Sequence, residues 1–305
     1  MVRLARSFAA ALLSTVALAL PASAAAAETP ALRVRLAAGE LRVGVSDGAD
    51  GARLELRLAR PDGSIALLPE PAPRSAARLD EPTPLVAAGT LAGLAWLEGA
   101  TRESYGVRYA PWTGAGWGAV ETVAAPGPGS QLALAALVLA DGRRLLTWAG
   151  YDGHDDEILY ALRAPDGRWS APARVAGDNE VPDITPAVAA APGPDGGALV
   201  AWSRYHDGQY RVAVARFDGE RFRSAKLVGR PGTLYPGFLP PGADGAPRLL
   251  FRNARPAGWT VAELDRSGAI FRESFVEASG PERPTGVRTR DGRLQLLFGD
   301  AGAQR

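Results

Sequence analysis

The chain has no cysteine, one methionine and two histidines in 305 residues. Without cysteine there is no disulfide framework and no thiol for a lipid anchor. An export route would therefore deliver a protein held by its core alone. Neither charge sign dominates: 34 basic and 33 acidic residues leave a formal net charge of +1. That balance excludes a basic nucleic-acid groove and a polybasic membrane patch as organising features. No Gly-x-Ser-x-Gly nucleophile elbow occurs, and beyond the N-terminus no long segment has helical periodicity or enough apolar length to span a bilayer.

Two features stand out against these absences. The N-terminus has Arg3 and Arg6, then an apolar run from Phe8 to Leu20, a break at Pro21 and the small-x-small triplet Ala22-Ser23-Ala24, with Ala24-Ala25-Ala26 as a second one. This order predicts a cleavable export signal over residues 1–26, leaving 27–305 as one domain in the periplasm or outside the cell. The second feature is abundant Gly (36) and Pro (25), which fits many tight turns.

Those turns recur in phase. Apolar stretches ending in Trp96, Trp148, Trp202, Phe251 and Phe298 are separated by 52, 54, 49 and 47 residues, and a sixth copy, Leu41 to Val45, precedes them. A Gly turn before a large apolar residue keeps step at Gly63, Gly116, Gly167, Gly219 and Gly268. In the clearest unit, strands are expected at Ala187 to Ala191, Ala198 to Trp202, Tyr210 to Phe217 and Phe222 to Val228, with a loop from Arg204 to Gly208 between the second and third. Asp-Gly and Gly-Gly between apolar alternations are hairpin signals, because Gly takes positive φ without steric cost. A four-stranded unit of this length cannot bury both faces alone, so radial stacking follows. The fold class expected is all-β: a β-propeller of four-stranded antiparallel blades, six in number with an incomplete last one. The alternative is five blades, with Arg53 to Leu68 completing the C-terminal blade.

The units Val181-Pro182-Asp183-Ile184 with Val200-Ala201-Trp202, and Ile158-Leu159-Tyr160-Ala161 with Pro165-Asp166-Gly167-Arg168-Trp169-Ser170, resemble blades of the sialidase-like (neuraminidase superfamily, Asp-box) propellers. The third-to-fourth-strand turn stands in the place of the Asp box. The box is degenerate, since Asp166 and Gly167 adjoin, as do Asp218 and Gly219, and no Arg-Ile-Pro tripeptide occurs. The resemblance thus implies the scaffold without the sialidase catalytic set.

A site on such a scaffold is expected over the central channel, built by second-to-third-strand loops. Tyr151, Asp152, His154, Arg204, Tyr205 and His206 are the ligand-binding candidates, because aromatic faces beside carboxylates suit carbohydrate or cationic ligands. Asp155, Asp183 and Asp207 are the carboxylates to test for glycosidase chemistry, which needs two at a suitable separation. Asp152, Asp155, Asp156 and Glu157 offer hard oxygens to Ca²⁺, but they lack the full spacing of a known calcium loop, and a solvated acidic turn is the preferred reading of them; no other cofactor is implied. The function expected is a monomeric, non-catalytic exported propeller binding a glycan, peptide or envelope protein, with no nucleic-acid partner. The alternatives are a glycoside hydrolase or lyase and a structural module of an envelope assembly.

Overall fold

The computed structural model describes residues 32–305 except 74, 128, 130, 152–155, 177–186, 242–244, 279–282, 285, 291–292 and 299–305. The signal expected over 1–26 lies outside them. The described residues form five four-stranded antiparallel sheets and a two-stranded sixth, each with its strands in consecutive order. Blade 1 holds β1 (Leu32–Leu36), β2 (Gly39–Gly48), β3 (Gly51–Ala59) and β4 (Ile65–Leu67); blade 2 holds β5 (Arg78–Ala87), β6 (Thr90–Gly99), β7 (Gly106–Pro111) and β8 (Glu121–Ala124). Blade 3 holds β9 (Gln131–Val138), β10 (Arg144–Tyr151), β11 (Asp156–Arg163) and β12 (Ala173–Arg174). Blade 4 holds β13 (Val188–Pro192), β14 (Ala198–His206), β15 (Gln209–Phe217) and β16 (Lys226–Leu227). Blade 5 holds β17 (Thr233–Leu239), β18 (Arg248–Asn253), β19 (Gly258–Leu264) and β20 (Ile270–Glu277), and blade 6 holds β21 (Gly286–Arg290) and β22 (Arg293–Leu297). The chain is a six-bladed propeller, and residues 53–67 belong to a complete first blade rather than to the last one.

The phased aromatics explain the stacking. Trp96, Trp148 and Trp202 sit at the same place on the second strand of successive blades and are 0, 0 and 1% exposed. Each packs back onto the blade before it. Trp96 meets Leu41, Val43, Leu54 and Leu56 of blade 1; Trp148 meets Leu85, Leu97 and Val107 of blade 2; Trp202 meets Leu137, Leu145 and Ile158 of blade 3. Phe251 does the same against Val212 and Val214 of blade 4. Burying one such ring removes ~150–250 Å² from water, so these contacts dominate blade-to-blade cohesion. Polar contacts seal the outer rim: Arg163 of β11 donates to both Glu121 oxygens at 2.8 and 2.6 Å, and Trp169 donates to Glu121 Oε2 at 2.7 Å.

Local geometry corrects two strand readings. The loop expected over 204–208 is strand as far as His206, closed by a two-residue turn in which Asp207 and Gly208 have φ of 48° and 76°. Two consecutive positive φ values make the tight hairpin that Asp-Gly favours. The fourth strand expected over 222–228 shrinks to Lys226–Leu227, with a single bridge between Phe217 and Phe222.

Four of the five third-to-fourth-strand turns share one device. Asp62, Asp166, Asp218 and Asp265 each accept a backbone N–H two residues on, from Ser64, Arg168, Glu220 and Ser267. An Asp side chain that replaces a backbone acceptor in this way fixes a turn. Asp62, Asp166, Asp218 and Asp265 are all held below the usual carboxylate range, and for Asp218 the N–H groups of Arg221 and Glu220 bring the pKa to about 2.

Candidate functional site

A cavity of about 630 Å³ lies where the blades converge. Its wall is made by Leu32 of β1 and Val43, Gly44, Val45 and Asp47 of β2 in blade 1, and by the inner strands of the next four blades: Arg78 to Thr83, Leu134 to Ala136, Ala189 and Ala190, and Gly237 and Phe238. Arg283, on the approach to β21, adds a side chain from blade 6.

The inner strands are not regular at this end. The β5–β6 register slips between Asp80 and Thr83, β9–β10 slips beside Thr147 and Ala149, and β17–β18 slips between Leu234 and Gly237. Each slip is a β-bulge, and each holds a non-glycine residue at positive φ: Glu81 (47°), Ala133 (53°) and Tyr235 (53°). A bulge removes N–H groups from the ladder, and buried ones need other acceptors.

The acceptors match the number of N–H groups. The Ala133-Leu134 bulge has two, and the Glu81 carboxylate of the preceding blade takes both: Oε1 from Ala133 at 3.1 Å and Oε2 from Leu134 at 2.6 Å. The Tyr235-Pro236 bulge has only one, because proline has no N–H. The Ser203 hydroxyl of the preceding blade accepts it at 3.1 Å. The Glu81-Pro82 bulge also has one, which Asp80 Oδ1 accepts at 2.9 Å. Burial raises the pKa of Glu81 despite the N–H bonds from Leu134 and Ala133. With both oxygens engaged by backbone, Glu81 is built as a joint between blades rather than as a proton donor.

Around this joint the cavity carries groups that can meet a ligand. Asp47 and Asp80 supply carboxylates from blades 1 and 2. The Tyr105 phenol is buried, and burial, then Asp80, raises its pKa while Arg78 acts against them. Arg283 donates from Nη2 to the Pro236 carbonyl at 3.0 Å. Gly237 makes the room: a Cβ there would stand 1.5 Å from Arg283 Nη2. Arg283 is exposed at the cavity, and partial desolvation of its guanidinium lowers its pKa. The result is a mouth that offers both carboxylate acceptors and a guanidinium donor.

Of the side chains singled out from sequence, the described ones lie at the same end of the blades, where second strands finish, and do not line the cavity. Tyr151 ends β10 and is 39% exposed. Arg204, Tyr205 and His206 end β14; Tyr205 packs edge-on against Tyr210, with ring centroids 5.3 Å apart. Asp207 sits at the hairpin tip, 3.4 Å from His206 Nε2. Glu157 is buried in β11, in register with Gly150. Asp152, His154, Asp155 and Asp183 fall outside the described residues, as does the side chain of Asp156. Among the described residues no group of three or more His, Asp or Glu is placed to hold a metal ion.

Sequence reading passed over Asp47, Arg78, Asp80, Glu81, Tyr105 and Arg283. One mark was there: Glu81-Pro82 and Tyr235-Pro236 stand at similar distances, 15 and 16 residues, ahead of Trp96 and Phe251, and a proline inside a strand points to a bulge.

No protein-family model matches this chain. No curated protein matches it either. Solved structures do. A protein of unknown function from Dyadobacter fermentans DSM 18053 aligns with a TM-score of 0.57 at 14% identity, over 85% of each chain. The GH93 α-L-arabinofuranosidase of Fusarium graminearum, in complex with arabinobiose, aligns with a TM-score of 0.53 at 10% identity, over 85% of this chain and 84% of that one. At such identities the likeness is one of fold. It agrees with the propeller that the repeat predicts. Among the described residues no helix is long and apolar enough to cross a membrane.

Proposed function

We propose that this chain is an exported propeller that binds a saccharide in its central channel. The observation that carries the reading is the cavity itself: inner strands of five blades and Arg283 converge on about 630 Å³, within the range of small-ligand pockets. Its lining suits sugar hydroxyls, which both donate and accept. Asp47 and Asp80 accept, Arg283 donates, and Tyr105 does either. The rim residues Tyr151, Arg204, Tyr205 and His206 belong in this reading as an outer contact zone for further sugar units. That a neighbour in fold was solved with arabinobiose supports the choice of ligand class. The Asp-locked outer turns support a sialidase-like ancestry for the blades, and the N-terminal signal supports export.

The test is calorimetric titration of residues 27–305 with a panel of neutral and acidic oligosaccharides. At least one class binds, and Asp80→Ala weakens it about tenfold or more, the cost of one hydrogen bond to a charged group. A panel without a binder, or an Asp80→Ala protein that binds as well as the parent, refutes channel binding.

Glycoside hydrolysis is a second reading, favoured by the presence of Asp47 and Asp80 in one cavity. It requires turnover of a chromogenic glycoside that Asp80→Asn abolishes in a protein still folded. Binding without turnover leaves the first reading standing alone.

A further inference from the structure

The blade junctions are not alike. Apolar clusters fill the junctions of blades 1–2, 2–3, 3–4, 4–5 and 5–6, the last made by Leu250, Trp259 and Val261 with Val287, Leu294 and Leu296. Among the described residues no cluster joins blade 6 to blade 1. The alternation of strand residues gives the reason. On blade 1, Leu41, Val43, Leu54 and Leu56 turn toward blade 2. The registers Arg33↔Arg42, Arg42↔Arg57 and Ser46↔Arg53 put Arg33, Arg35, Arg42, Arg53 and Arg57 on the other face. Only Glu40 and Glu55 share that face as acids, Glu40 with Arg42 at 2.8 Å and Glu55 with Arg53 and Arg57 at 2.7 and 2.9 Å. Arg33, Arg35, Arg42 and Arg57 are exposed. On blade 6, Val287 packs toward blade 5, so its neighbour Arg288 leaves by the opposite face, where it is exposed and paired in register with Gln295.

A basic, wet sheet face is not what closes a ring of sheets. It flanks the cavity directly: β2 gives Val43, Val45 and Asp47 to the cavity wall and Arg42 to the other face. Arg283 lines the cavity, and its one described acceptor is the Pro236 carbonyl. An exposed planar fork with only one N–H on a carbonyl can receive an anion, and it fits a carboxylate best. Asp47 and Asp80 stand on the walls of blades 1 and 2, where sugar hydroxyls can meet them.

From the saccharide reading and these observations, we propose that the ligand is an acidic polysaccharide. One uronate carboxylate seats on Arg283, and the following units leave sideways along the arginine face of blade 1. The occupant is a carboxylated sugar chain rather than an acidic peptide, because the cavity wall offers Asp47, Asp80 and Tyr105 to hydroxyl groups that such a peptide lacks.

Oligomers of galacturonate, glucuronate and mannuronate are titrated into residues 27–305, each beside its carboxyl-reduced neutral counterpart, with a heparin-derived sulfated oligosaccharide and poly-glutamate as further arms. One uronate series binds tenfold or more tighter than its reduced form, and raising NaCl from 0.05 to 0.5 M weakens it by about tenfold as screening sets in. Arg283→Met and Gly237→Ala each cost about tenfold in affinity, the first by removing the fork and the second by displacing it. Both variants melt near the parent, because the atom a Gly237 Cβ meets is the free end of a flexible side chain. Arg42→Gln with Arg57→Gln weakens long oligomers more than short ones. If a reduced, neutral oligomer binds as tightly as its acid, the charge inference falls and channel binding of saccharides stands. Binding of the sulfated sugar or of poly-glutamate in preference to every uronate also overturns it. If nothing binds, both readings fail together.

Discussion

The junction between blades 2 and 3 and the outward face of blade 1 are built from the same strand alternation, yet one is dry and the other wet. At the first, Trp148 and Leu146 meet Leu85, Ala95, Leu97, Val107 and Tyr109, all fully buried. At the second, the positions that would carry such side chains are Arg33, Arg42 and Arg57, held by Glu40 and Glu55. Among the described residues five junctions are apolar and the outward face of blade 1 is a polar flank. Apolar cohesion then runs from blade 1 round to blade 6, and the outward face of blade 1 stays polar.

Substitution on each side of this comparison sharpens it. Trp148→Ala leaves a cavity in a packed junction and costs about 3–5 kcal/mol. Arg57→Ala, on a surface ion pair, changes stability by no more than about 0.5 kcal/mol. Urea unfolding of the two variants reads both values. Comparable losses would mean that the blade 1 flank is a structural interface and not a free one.

A second contrast lies among the bulges. Glu81 serves two N–H groups and Ser203 serves one. Each donor left buried without an acceptor costs about 1–3 kcal/mol, so Glu81→Ala destabilises by about twice as much as Ser203→Ala. Glu81→Gln falls between, because its amide keeps one oxygen to accept with. Equal losses for Glu81→Ala and Ser203→Ala in the same unfolding assay would show that water replaces the carboxylate.

The legible and illegible parts of the molecule divide along the same lines. Repeat phase was readable because Trp96, Trp148 and Trp202 are bulky, rare and needed at one place in each blade. The outer turns were readable because Asp-Gly marks positive φ. The cavity was not. Its bulges put Glu81, Ala133 and Tyr235 at positive φ, where nothing but glycine or asparagine announces itself, and tertiary contacts supply what local preference does not. Arg283 was hidden for another reason: its role depends on Gly237 of a different blade. The loops around Tyr151 and Tyr205 drew attention through their acids and histidines, whereas the cavity wall came from strand starts that read as ordinary alternation. The last strand of blade 4 was overestimated since Phe222 joins by one bridge only, and a run of apolar residues does not say how many ladder bonds it makes.

The smallest expected effect concerns acid. Asp218 sits at an outer turn with a folded pKa of about 2 against the usual 3.8, because the Arg221 and Glu220 N–H groups bind its ionised form. A carboxyl whose folded pKa is depressed adds stability that is fully present above its unfolded value and is lost as pH falls through the folded one. Asp62, Asp166 and Asp265 act in the same direction. Glu81 acts in the opposite one: its folded pKa is raised, so its contribution declines as pH climbs from its unfolded value through its folded value. The melting temperature therefore falls between pH 4 and pH 2 as the turns lose their anions. Asp218→Asn keeps a turn acceptor but no charge, so it flattens part of that slope, and Glu81→Gln removes the opposing drift above it. Melting curves across pH 2–7 for the three proteins decide the matter. If Asp218→Asn follows the parent at every pH, the outer turns are held by glycine and packing, and their aspartates add nothing.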